Sequence, residues 1–413
     1  MNKPSIIIHQ ARWIVPVTGP VIEAGAVAIA DGRIRAVGPA ADLRRQPWDT
    51  WEDHGDGAIM PALVNAHTHL ELTALRGRIA AQERWQDWLS AALAEMATLT
   101  LEDLQAGAAA GIAELRRFGT GLVAEISNTG LSLPALAKSG LEFCYFFECL
   151  GFDLTGAGPL ETDFPIFAAP EALTLTNFSA AAHASYSVSS PLCQRIAAWN
   201  RGHGRLSAVH LAESREEERF LQTGDGFFRS LLMLRGRWRP DFQPPGVSPA
   251  HYLDSLGFFA GPALAAHGVW LDAADRKLLA RRGARVVLCP RSNLFTGTGF
   301  PNLTALEADG VRLALGTDSL ASNHDLNLFR ELEVLREQFP AVPPGRLVRL
   351  ATLNGAAALG READLGSLEP GKQAALLLVP VDAGAGDFWD ALLAAGAMGE
   401  VRWLSPPKET CHA

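Results

Sequence analysis

The chain has 413 residues, 48% of them hydrophobic and 20% charged, with 39 glycines and 25 prolines. That length provides for a large domain plus a smaller companion, and the composition excludes a disordered or collagen-like chain. The formal net charge of −9 argues against non-specific binding to nucleic acid. No segment reaches the ~18 uncharged apolar residues that a membrane span needs, and the N-terminus lacks a secretory pattern. A cytoplasmic enzyme with a small-molecule substrate, no nucleic-acid or membrane partner and a homodimeric state is expected.

In chain order, Ser5–Val15 is β-rich, Ala24–Ala30 alternates, Asp31-Gly32 signals a hairpin and Arg33–Val37 returns. Eight apolar, β-rich runs follow: Ile59–Ala66, Gly121–Ser127, Phe143–Leu150, Ala180–Ser187, Leu206–Ala212, Ala263–Leu271, Arg285–Pro290 and Arg312–Gly316. Helical periodicity fills most of the gaps, as in Trp88–Phe118, Arg215–Leu232, Ala273–Arg282 and Leu326–Phe339. Alternation of this kind predicts a (β/α)8 TIM barrel over 58–364. Turn and strand signals return at Leu365–Gly371 and Ala374–Val379, so 1–57 and 365–413 are expected to form one small β domain. The Arg235–Gly246 segment, rich in Pro, Gly, Arg and Trp, reads as a loop over the barrel mouth or a plain insertion.

Two further runs receive structural readings. Glu216–Glu218 is expected on a solvated helix face, and Asp387–Gly399 as an amphipathic helix against the β domain. The five cysteines are scattered, and those in apolar runs read as small buried hydrophobes.

Chemistry concentrates at the carboxyl ends of the barrel strands, where this architecture places active sites. The first run ends in Asn65-Ala-His67-Thr-His69; histidines two apart on a strand share a side and can reach one ion. The fifth ends in His210-Leu-Ala-Glu213, the sixth in His267-Gly, and the eighth in Gly316-Thr-Asp318-Ser319. Four imidazoles and two acids at the strand ends of one barrel point to a metal-dependent site.

The string from Pro61 to Leu72, with His67 and His69, resembles the first metal motif of deaminases in the amidohydrolase superfamily. The runs opening at His183, His210, His267, Cys289, Gly316 and Leu365 are similar to further motifs of that group, in order and over nearly the whole chain. The resemblance implies that the terminal segments form a β-sandwich. It also implies that His67, His69, His210 and Asp318 hold one divalent ion, zinc foremost and iron as the other choice. Glu213 would move protons between water and a ring nitrogen, with His267 and Asp318 holding the attacking oxygen. Binuclear members use a carbamylated strand-end lysine. None of the five lysines here (Lys3, Lys138, Lys277, Lys372, Lys408) ends a predicted strand, which favours a mononuclear site.

Substrate contacts are expected from Trp88, His183, Arg291 and Asn293. Trp88-Leu89 resembles a substrate-packing pair of adenosylhomocysteine and methylthioadenosine deaminases, although the acidic residue those enzymes carry nine positions later is Ala97 here. The stretch from His210 to Asp254 is similar to a branch that includes aminodeoxyfutalosine deaminases of menaquinone synthesis, whose substrate bears a benzoate that Arg291 would clamp, a structural carboxylate of the chain being the other partner open to that guanidinium. Deamination of an adenine-type nucleoside is therefore expected. Guanine or cytosine deamination and triazine chlorohydrolysis share most of the motif.

Overall fold

The computed structural model describes residues 6–45, 50–169, 175–382, 384 and 386–406. Ser5, Lys3, Lys408 and Cys411 thus lie outside the described residues.

The fold is mixed α/β with two sheets. The N-terminal strands are β1 (Ile7–Ile14), β2 (Ile22–Ala30), β3 (Arg33–Pro39), β4 (Thr50–Asp53) and β5 (Gly57–Pro61). The next nine are β6 (Leu63–His69), β7 (Thr120–Ser127), β8 (Glu142–Cys149), β9 (Phe178–Ala184), β10 (Ser207–Leu211), β11 (Ala263–His267), β12 (Arg285–Leu288), β13 (Arg312–Leu315) and β14 (Asp318–Ser319). β15 (Leu376–Pro380) and β16 (Arg402–Ser405) close the series.

Strands β6 to β13 pair in parallel in chain order, and β14, two residues beyond β13, pairs back onto β6. The nine-stranded sheet is therefore curled, its last segment lying against its first. β7 and β8 are buried along their whole length, as apolar strands covered on both faces must be. The remaining strands form a seven-stranded sheet in the order β16-β15-β5-β1-β2-β3, with β4 on β1, so both ends of the chain build it.

Three expectations change. The run Ile59–Ala66 is not one strand: Gly57–Pro61 pairs with β15 and β1 in the small sheet, and only from Leu63 does the chain enter the curled sheet. An unbroken apolar run suited both environments, so nothing in it marked the switch. The stretch Trp88–Phe118 is two helices, Trp85–Met96 and Leu101–Arg117; the second starts at a Thr100/Asp103 capping box. The helix Phe388–Ala397 rests chiefly on helix Leu328–Gln338, with Gly396 against the ring of Phe329. A Cβ at Gly396 would stand 2.3 Å from that ring, so only glycine permits the approach.

The cysteines among the described residues (Cys144, Cys149, Cys193, Cys289) are free and buried. No described helix is long and apolar enough to cross a membrane.

Candidate metal centre and active site

Alternation along β6 sends His67 and His69 toward one point. Asn65 fixes that strand end against the segment joining β13 to β14. Its amide donates to Thr317 Oγ1 (2.7 Å), and its carbonyl oxygen accepts from the backbone amides of His67 (3.3 Å) and Thr317 (3.2 Å). Gly316 packs on the same strand, where a Cβ would lie 2.8 Å from the His67 carbonyl. Asp318 thereby arrives with Oδ1 3.6 Å from both His67 Nε2 and His69 Nε2. His69 Nε2 faces His210 Nε2 at 3.3 Å.

Hydrogen bonds around this group set which nitrogens offer lone pairs. His210 Nδ1 donates to the His183 carbonyl (2.8 Å), and His267 Nδ1 to Asn293 Oδ1 (2.9 Å), so both present a bare Nε2. His67 Nε2 is buried without a hydrogen-bond partner. Burial pushes His67 down to about 4 against the pull of the Asp318 carboxylate beside it, and it pushes His183 down to about 3, helped by His210 and His267. Burial also works to raise Asp318, but His67, His267 and His69 outweigh it and hold the carboxyl well below its usual range. Ser292 and Ser322 donate to Asp318 Oδ2 at 2.6 and 2.8 Å, leaving Oδ1 to the imidazoles. Neutral imidazoles converging on an ionised carboxylate are the donor set of a divalent transition metal.

Three residues of the site region hold left-handed backbone: Ala212 (φ 50°), His267 (φ 72°) and Asp318 (φ 58°). Such conformations cost on the order of 1–3 kcal/mol each and survive where surrounding contacts enforce them. Here they turn the chain at the ends of β10, β11 and the β13–β14 run, aiming His267 and Asp318 inward and placing Glu213.

A cavity of about 240 Å³ opens on this group. Its floor is His69, His183, His210, Glu213, His267 and Asp318; its walls are apolar, from Trp85, Trp88, Leu89, Met96, Phe228 and Leu232 among others. Glu213 Oε1 lies 3.9 Å from His267 Nε2. Trp88 donates its indole N–H to the Ala321 carbonyl (2.9 Å), tying the wall to the segment after β14. Along Arg235–Gly246, Trp238 and Phe242 pack on Phe152 and Phe220, behind the wall. Arg237 pairs with Asp153 and Arg239 with Asp241.

Of the four residues expected to contact substrate, Trp88 and His183 line the cavity, whereas Arg291 and Asn293 do not. Arg291 is a correction: its guanidinium grips Asp325 with two bonds (2.7 and 3.2 Å), and Glu331 stands 3.8 Å away. A strand-end arginine thus serves one buried and one half-buried acid of its own chain. Asn293 is also corrected, from substrate contact to holder of His267. Glu217 is a third correction: it is 1% exposed, not solvated, and accepts from Ser185 Oγ (2.7 Å) and the Glu213 amide (3.2 Å). Burial pushes Glu217 up to about 8. Its spacing from Phe220 and Leu221, three and four residues on, was the available signal.

Two more acids escaped the sequence reading. Glu148 lines the cavity 3.5 Å from His210 Nδ1, and burial pushes it up to about 7. Glu71, which also lines the cavity, accepts from Ser127, Thr129 and the Ser132 amide at 2.6–2.9 Å. Glu148 belongs to no histidine spacing, whereas Glu71 stands two residues past His69 within the Pro61–Leu72 string, which was its available signal.

A parallel α/β sheet with histidines and acids gathered at its carboxyl edge is the architecture of a metal-assisted hydrolase. Residues 58–390 match the model of the amidohydrolase family, and residues 25–46 that of a bacterial imidazolonepropionase-like composite domain. The chain belongs to the amidohydrolase family and is a hydrolase of carbon–nitrogen bonds. It is 32% identical to a 5-methylthioadenosine/S-adenosylhomocysteine deaminase of Moorella thermoacetica, over 90% of this chain and 85% of that one. An aminodeoxyfutalosine deaminase of Deinococcus radiodurans is 30% identical, over 81% of each chain. Among solved structures, a zinc-bound adenosine deaminase from Xanthomonas campestris superposes with TM-score 0.78 at 28% identity, covering 98% of this chain and 93% of that one. Helicobacter pylori aminofutalosine deaminase shares the fold (TM-score 0.83, 22% identity, 96% and 97% covered).

Proposed function

We propose that the chain hydrolytically deaminates an adenine nucleoside whose 5′ substituent is uncharged and apolar, of the 5′-methylthioadenosine kind. The observation that carries this is the cavity itself. A floor of imidazoles and carboxylates meets a wall of tryptophans, leucines and Phe228, and no described arginine or lysine lines it. A substrate carboxylate there would lose its water without gaining a cation. The relatives named above supply the adenine ring and the reaction; the wall selects among their substrates.

His67, His69, His210 and Asp318 would hold one divalent ion, zinc by the bound zinc of the Xanthomonas relative. Among the described residues no lysine approaches the site, which supports a single ion. When bound, such an ion lowers the pKa of water toward ~7. The chain's own groups do the rest. Glu213 takes a proton from the attacking water and delivers it to a ring nitrogen. His267, its tautomer set by Asn293, and Asp318 orient the oxygen on the carbon that carries the amino group. The remaining proton of the added oxygen would pass by way of Asp318 to the amino group, which leaves as ammonia while the ring carbonyl forms. We also read the curled sheet as a closed (β/α)8 barrel and the terminal sheet as a β-sandwich. That gives the two-domain division expected from the sequence, with β5 moved into the small domain.

The test is ammonia release from paired nucleosides. kcat/KM should be highest for a 5′-alkylthio adenosine and at least about tenfold lower for an analogue with a carboxylate on that substituent. Preference for the carboxylate-bearing member would overturn the substrate reading.

A further inference from the structure

The small sheet carries a second gathering of ligating side chains. β1 and β4 run parallel with His9 beside Glu52, which puts these two side chains on one face. His54, two residues past Glu52, returns to that face, and its backbone amide extends the ladder to the Gln10 carbonyl (2.9 Å). Ile8 and Trp51 take the other face, in the apolar cluster with Ala40 and Leu43.

His9 Nδ1 lies 3.0 Å from His54 Nε2 and 3.3 Å from Glu52 Oε2; His54 Nε2 is 3.9 Å from the same oxygen. A four-coordinate zinc ion, with bonds of about 2.0–2.1 Å to nitrogen and oxygen, holds its ligand atoms about 3.3 Å apart. These three atoms already occupy one face of such a polyhedron. The imidazoles are 5% and 9% exposed and the carboxylate 48%, so the histidines form the base and Glu52 the mouth. We propose that His9, Glu52 and His54 bind a divalent transition-metal ion of the zinc class, outside the catalytic cavity. A two-imidazole, one-carboxylate set favours zinc, copper or nickel over magnesium or calcium.

Arg402 on β16 opposes the ion. Its guanidinium donates to His54 Nδ1 (3.2 Å), so the proton of the neutral ring sits on Nε2 and points at His9 Nδ1. Binding an ion at Nε2 requires the other tautomer, and Arg402, which is exposed, must turn away. The site is thus latched by a hydrogen bond that the metal has to displace.

The experiment is zinc titration of tag-free protein already loaded at its catalytic site, in competition with a chromogenic chelator. Wild type should take up one further equivalent. H54Q and E52Q should bind it at least tenfold more weakly, and R402A several-fold more tightly, all with deaminase activity unchanged. H54Q and E52Q alter partly open positions, so their melting temperatures should confirm that the fold is kept. No further equivalent in the wild type, or one bound equally well by H54Q and E52Q, overturns the proposal.

Discussion

Glu213 and Glu217 sit four residues apart on one short segment and receive opposite assignments from their surroundings. Glu213 faces the cavity beside His267, outside the proposed ligand set, so E213Q should keep the catalytic ion and lose at least about a hundredfold in kcat. Activity near wild type would remove it from the mechanism. Glu217 lies beneath, and burial lifts its carboxyl to about 8 from an ordinary 4.5. Between those values the folded chain holds a proton that the unfolded chain has released. The resulting stability is complete at and below about 4.5 and is lost as pH rises through about 8. Urea unfolding should therefore show wild type losing on the order of 2 kcal/mol between pH 6 and 8.5 through this group. E217Q, a neutral isostere of the protonated form, should show a correspondingly shallower fall; identical profiles would refute the assignment. The ligand histidines were legible because two residues on a strand or a strand end announce themselves locally. Glu217 hid within a run of three glutamates, and only its phase with Phe220 and Leu221 separated it from its half-buried neighbours.

The helix Pro290–Phe295 shows how an element was readable while its partners were not. The Cys289-Pro-Arg-Ser-Asn293 run marked a strand end, yet the carboxylates that claim Arg291 lie 34 and 40 residues further on. Glu331 also accepts from the Arg291 backbone amide (2.9 Å), capping the start of that helix from the helix Leu328–Gln338. Arg291 and Asp325 side chains are 11% and 15% exposed, so R291M removes the two-pronged partner of a half-buried acid that keeps only Arg330 at 3.3 Å, a loss of about 1–3 kcal/mol. Thermal or urea unfolding should register that loss, while carboxylate-bearing and plain nucleosides should suffer equally in kcat/KM. A loss confined to carboxylate-bearing substrates would restore Arg291 as their clamp. Parallel strands were legible as continuous apolar runs, and the second helix start as Thr100-Leu-Glu-Asp103. The passage between sheets at Ala62 was not, because both environments demand the same kind of residue. Neither was the pairing of His9 with Glu52, which depends on register between strands far apart in sequence.

For the molecule as a whole, the count of ions distinguishes its two sheets. With no described lysine near the floor, one catalytic ion per chain is expected; metal analysis should be made on H54Q as well as wild type, so that any ion on the small sheet is set aside. Two ions per active H54Q chain, both required for turnover, would contradict a mononuclear centre. At the first of the two crossings between them, the sheets are joined by a single residue. Ala62 donates to the Ala375 carbonyl on one side, Leu63 to Gly119 and Val64 to Ala351 on the other. The chain passes from β5 to β6 with no loop between them. His67 and His69 are therefore the far end of a rod clamped in the terminal sheet. A rod has no slack, so the small sheet cannot swing as a separate body on a tether. Trimming either terminus, which removes no residue that touches the cavity, would loosen the clamp and let the imidazoles drift out of register with Asp318.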